Sequence, residues 1–176
     1  DVQRMPGVRA AAFAAITPLS GSRWNNDVQI EGYTFRADER PYVDMNSVTP
    51  RFFEAAGIPI ILGRDFRDSD NVAVLPNRPD QPPAPGAELP DMPGPPRVAI
   101  VNEAFARKFF AGKNPIGRRL CVGGRWNDAR TSEIVGVVRD ALYFNLREAV
   151  EPMIYQPRYR EGRGGGGGVL TVRTSG

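Results

Sequence analysis

Apolar and polar positions between Arg97 and Leu120 mark out one complete structural unit. Val98-Ala99-Ile100-Val101 is an unbroken apolar run, the pattern of a strand covered on both faces. Asn102 ends that run and suits a helix N-cap, because its side-chain oxygen can accept a free first-turn N–H. Glu103 then places a carboxylate where the helix dipole favours one. Phe105 and Phe109 lie four apart on one helical face, with Ala106 and Phe110 in the row beside them. Gly112 is expected to stop the helix in a left-handed conformation, and Pro115 to keep it from resuming. Ile116 to Val122 reads as a turn into a further strand. The unit is a packing module without nucleophile, base or ligand cluster.

A second unit echoes it. Tyr42–Val48 is expected to be a strand, Thr49 a cap, Pro50 a first helical residue and Gly57 the stop of a two-turn helix. Phe52-Phe53 corresponds to Phe109-Phe110, so the two units could lay phenylalanine faces on one sheet. Val28 and Ile30 alternate with polar neighbours, but apolar parity switches to Tyr33 and Phe35 after Gly32, which predicts a bulge or tight bend. Glu133–Val138 reads as another buried strand, with Gly136 admitting a close neighbour. Met153–Tyr155 and Val169–Thr174 complete the strands, the last with Leu170 and Val172 expected inward and Thr171 and Arg173 outward. Val8–Ile16 fits both a helix, by its alanines, and a strand, by its alternation.

Two stretches break the pattern. Nine of the seventeen prolines fall in residues 76–96, which reads as a stiff, solvated loop insertion. Residues 162–168 form a glycine-rich loop.

The wording Val98 to Phe110 followed by Gly112, Pro115, Ile116 and Gly117 resembles the periplasmic core domain of MacB-like ABC transporter permeases, the FtsX-like class. Pro6-Gly7-Val8 with Thr17-Pro18-Leu19, Val48 to Phe53, Gly57-Ile58-Pro59 with Gly63 to Phe66, Glu133 to Val138, and Leu170 to Thr174 fit the same family in the same order. The resemblance favours a strand for Val8–Ile16. It implies an α+β fold: a mixed β-sheet with short helices in one domain over residues 1–176. It also implies two lobes, a membrane-proximal β-α-β lobe (1–48 with 165–176) and an inserted one (49–164). The strands nearest the two ends would then be neighbours in one sheet. By resemblance the chain is an extracytoplasmic domain at the periplasmic face of an inner membrane, flanked in its gene by apolar segments of roughly 20 residues. Its implied partners are an ABC-type ATPase subunit or domain and a periplasmic partner protein or substrate, with a homodimer expected only in the full-length protein. A free-standing periplasmic peptide- or lipid-binding module of the same fold is the alternative reading.

The 176 residues suffice for one ordinary core and carry a formal net charge of +3 with both signs scattered, which argues against nucleic acid as a partner. The densest basic group, Arg118-Arg119 with Arg125, is interrupted by Leu120 and Cys121. With no histidine and one cysteine, the Ser-His and Cys-His chemistries and zinc sites fall away. Gly162-x-Gly164-x-x-Gly167 matches a dinucleotide fingerprint in letters only, since a strand follows it where a helix is required. Asp65, Asp68, Asp70 and Asn71 lack the glycine and distant glutamate of a calcium loop. Trp24 and Trp126 read as half-buried aromatics and Cys121 as a small core residue. No catalytic, cofactor or metal-binding residue is therefore assigned, and the chain is not expected to be an enzyme.

Closure entropy changes slowly with loop length. Replacing residues 77–95 with a few glycines and serines is therefore expected to leave a cooperatively folding protein. A chain that no longer melts cooperatively after the exchange would show that this segment packs on the core.

Overall fold

The computed structural model describes residues 2–70, 97–123, 125–128, 131–144, 149–158 and 168–175. The proline-rich stretch 76–96, residues 162–167 of the glycine-rich loop and Asn71 lie outside the described residues. A short 3-10 turn at Val2–Arg4 leads into β1 (Val8–Ala14), followed by β2 (Asn25–Ile30) and β3 (Tyr42–Val48). Next come α1 (Phe52–Ala56), β4 (Ile60–Gly63), a 3-10 turn at Asp68–Asp70, β5 (Arg97–Asn102) and α2 (Glu103–Phe110). The chain continues through β6 (Arg119–Val122), β7 (Thr131–Val138), β8 (Met153–Pro157) and β9 (Val169–Thr174).

Among the described residues, all nine strands belong to one mixed sheet, and six of them close into a ring. The order β2-β6-β7-β5-β8-β3 returns to its start because β2 pairs both neighbours. Asn25–Asp27 lie against β3, and Val28–Ile30 lie against β6. The β3–β8 and β5–β7 pairs are parallel, while the other ring pairs are antiparallel. Strands from residues 1–48 and from 49–164 thus share hydrogen bonds around a single ring.

Closure divides each strand between two cores, because successive side chains point to opposite faces. Val28, Val43, Met45, Ala99, Val101, Leu120, Ile134, Val137 and Ile154 fill the interior, where Phe105, Phe109 and Phe110 of α2 join them. On the outer face, Val48, Val98, Ile100, Val135, Val138, Met153 and Tyr155 meet Phe52 and Phe53 of α1 and the alanines of β1. The two phenylalanine pairs therefore pack on opposite faces of one sheet. Rings of Tyr33 and Phe35 stand edge-on to Phe109 at centroid distances of 5.1 and 5.8 Å. The parity switch after Gly32 is thus a turn (φ 77°) that ends β2 and returns two aromatics to the interior core without strand pairing.

Local signals hold except at one end of each helix, and Pro50 lies before α1 instead of opening it. The Asn102 side chain accepts from Phe105 N–H at 3.0 Å, which caps α2. The left-handed stop, however, begins one residue before Gly112, at Ala111 (φ 48°), since the helix ends at Phe110. Thr49 does not cap α1. Its hydroxyl accepts from Phe13 N–H on β1, and the N-cap position is taken by Arg51 in a left-handed conformation (φ 67°). Tertiary pairing has claimed the capping hydroxyl. Gly136 faces Gly63 across the β7–β4 pair, and a Cβ on Gly136 would stand 2.4 Å from Arg64 O. Only glycine lets β4 and its continuation cross that close.

Phe105 is fully buried among interior ring residues. Truncation F105A is expected to destabilise the protein by about 3–5 kcal/mol, from lost transfer energy plus a cavity. Denaturant unfolding that showed a loss below about 1 kcal/mol would contradict the interior placement of α2.

Candidate interaction surface

Strands β1 and β9 form an antiparallel ribbon that leaves the ring at β3. Its main register runs from Ala10↔Arg173 to Ala14↔Val169, with an irregularity at Arg9. Ala10, Ala12 and Ala14 face the outer core, so their partners Arg173, Thr171 and Val169 share that side. Leu170 and Val172 consequently oppose Phe13 and Ala11 on the side turned away from the ring. The expected inward placement of Leu170 and Val172 is thus reversed. The alanine parity of β1 decides the orientation of β9 through cross-strand pairing. Phe13, Leu170 and Val172 remain 47, 38 and 39% exposed.

The ribbon is fastened by a polar joint. The Asn46 side chain accepts from Ile16 N–H at 3.0 Å and donates to Ile16 O at 2.7 Å and to the Tyr143 hydroxyl oxygen at 2.6 Å. Burial pushes the Tyr143 phenol above its ordinary pKa, so it stays protonated, although its bond to Asn46 opposes the shift. Ala15 N–H and Thr49 N–H add backbone bonds to Ser47 O and Phe13 O. Below the ribbon, α1 adds a second attachment. The Arg51 guanidinium reaches Arg9 O and both oxygens of Glu54, and Arg173 donates to Glu54 O. Asp65 accepts from Arg51 N–H, which helps hold the strained Arg51 backbone, and burial raises its carboxyl pKa.

Of the acidic group weighed for calcium, Asp68 and Asp70 share one 3-10 turn, and Asn71 lies outside the described residues. Asp70 is bound by Arg64 at 2.6 and 3.1 Å. Burial works to raise the Asp70 pKa, but that pairing and the Arg67 N–H bring it below the usual carboxylate value. Asp65 points instead at the Phe66 and Arg51 amides. Among the described residues, no group of three potential metal ligands forms. Trp24 is 39% exposed, while Trp126 is half-buried, donating to Asp128 with the Arg119 guanidinium 5.6 Å from its ring. Cys121 is buried on β6. Arg119 of the basic group is engaged by Glu31 and Asp128.

Sequence reasoning missed a second polar feature. Arg23 grips the buried Asp44 with two bonds of 2.7 Å and stacks 4.7 Å from the Phe144 ring. Beside it, Asn25, Tyr42, Lys108 and Glu151 help line a cavity of about 90 Å³ with both charge signs represented. Asp44 alternates with the inward Val43 and Met45, so its position read as an ordinary polar face, and its partner lies 21 residues away.

The sequence profile of the MacB-like periplasmic core domain matches residues 1–174. The chain belongs to that family. Its fold is similar to the periplasmic region of MacB from Actinobacillus actinomycetemcomitans, with 16% identity, a TM-score of 0.57 and 99% of this chain covered. It is also similar to a domain of a putative permease protein from Porphyromonas gingivalis, with 19% identity, a TM-score of 0.55 and 99% coverage. The chain spans 61 and 60% of the lengths of those two solved chains. No curated protein matches it in sequence. Among the described residues, no helix is long and apolar enough to cross a membrane.

Replacing Asn46 with alanine would leave the Ile16 amide and carbonyl without this buried partner. The N46A variant is expected to lose about 1–3 kcal/mol of stability. Hydrogen exchange should then speed up first at β1 amides. Exchange that accelerated evenly over the ring would mean that Asn46 does not specifically hold the ribbon.

Proposed function

We propose that this chain is the extracytoplasmic domain of a MacB/FtsX-like ABC transporter permease. It is non-catalytic and couples cytoplasmic ATP hydrolysis, by a separate ATPase subunit or domain, to action on a substrate or partner protein outside the membrane. The observation that carries this reading is the family match over residues 1–174 together with the pairing of β1 and β9. Val8 and Thr174 are register partners, so both arms of the ribbon leave the ring on the same side. A domain inserted between two membrane-spanning segments requires that geometry, because both arms return to one bilayer.

The membrane-proximal lobe (1–48 with 165–176) and the inserted lobe (49–164) are in this reading two functional portions of one continuous sheet. Motion applied to the ribbon reaches the ring through the Asn46 joint and through α1. A closed ring with a filled interior resists deformation, so it transmits displacement as a unit. In the full-length protein the domain works within a homodimer.

The complete gene, expressed with its natural flanks, tests this. Its product is expected in the membrane fraction, with this domain cleaved by protease added from the periplasmic side. A product released in soluble form by osmotic shock would overturn the permease reading and favour a free-standing module that binds peptide or lipid.

A further inference from the structure

We infer that the outward face of the β1–β9 ribbon docks on a bilayer surface bearing anionic phospholipid headgroups. This rests on the reading of the chain as the extracytoplasmic part of a membrane permease. Phe13 and Leu170 stand opposite each other there, with Val172 two residues on along β9, and all three are exposed. Met5, in the turn before β1, is exposed as well.

Charge selects the occupant. Residues 2–14 and 169–174 contain three arginines, Arg4, Arg9 and Arg173, and no carboxylate. Arg9 is exposed at the irregularity of β1, two residues before Ala11. Arg173, also exposed, stands on the α1 side, where it donates to Glu54 O and its charge acts on the Glu54 carboxylate that Arg51 holds. An exposed apolar cluster with an aromatic ring, on a ribbon whose exposed charges are arginines, matches the demands of a membrane interface, where apolar groups sink in and cations meet phosphate. A second copy fits worse. Joining two ribbons face to face would bring together two sets of arginines with no acidic complement. Strand β4, whose Ile60, Ile61 and Leu62 are also exposed, pairs with β7 and serves as an internal control.

The test is co-sedimentation of the purified chain with vesicles of phosphatidylcholine alone or mixed with phosphatidylglycerol. Binding is expected only to the anionic vesicles and should weaken at high salt. F13S/L170S should lower the partition coefficient at least about tenfold. R9E should lower it about fivefold or more, and L62S should leave it unchanged. Circular dichroism melts check that each variant folds; if F13S/L170S does not, R9E against L62S decides. Absence of binding to anionic vesicles, or binding indifferent to R9E and F13S/L170S, overturns the inference. A dimer in light scattering that F13S/L170S dissolves, without vesicle binding, assigns the face to a second copy instead. Failure here leaves the permease reading standing if the full gene product still sediments with membranes. Vesicle binding by a chain whose full product is soluble would sink only the permease reading.

Discussion

Everything in this domain depends on β2 pairing with two partners at once. Its first residues bond to β3 and its last to β6, and that division closes six strands into a ring. A closed ring has an inside that must be filled by side chains, and the phenylalanines of α2 join those of the strands to fill it. The outside then needs its own cover, supplied by α1 and by the alanine face of β1. Near-continuous apolar runs such as Val98–Val101 and Ile134–Val138 follow from this, since both faces of those strands are buried.

Buried polar groups sit where elements must be joined rather than merely packed. Asn102 caps α2 with its oxygen, which also accepts from Met153 N–H, while its amide donates to Glu151 O. One side chain thus ties β5, α2 and β8 together. Asn46 does the same for β3, the exit of β1 and the loop bearing Tyr143. Full satisfaction makes such groups specifying, because any slip in register would leave them buried and unpaired. Asp44 follows the same logic with a charge, held by the two-point grip of Arg23.

The ribbon and the ring are joined at a small number of identifiable contacts. The ribbon is bound to the ring by one strand pair, the Asn46 joint and the arginine contacts around α1. These contacts join the ribbon to the rest of a domain of the MacB-like periplasmic core family. The strained left-handed backbone of Arg51 lies in that attachment, bonded to Asp65 through its amide and to the β1 backbone through its side chain.

Local patterning by itself determined the β5–α2 unit, from the Val98 run through the Asn102 cap to Phe109. It also determined β3, the left-handed stop at Gly57 and the close approach at Gly136. Each depends on residues within one turn or one strand, where spacing and backbone chemistry act directly. Family wording settled the β1 ambiguity, which its alanines alone left open. Tertiary structure decided what depends on distant partners: ring closure through β2, the loss of Thr49 as a cap to Phe13 N–H, and the Arg23–Asp44 pair. It also decided which way β9 faces. Leu170 and Val172 alternate as an ordinary half-buried strand would, and alternation gives two faces without saying which is covered. Pairing with β1 turned them outward, because the alanines of β1 had already taken the side toward the core.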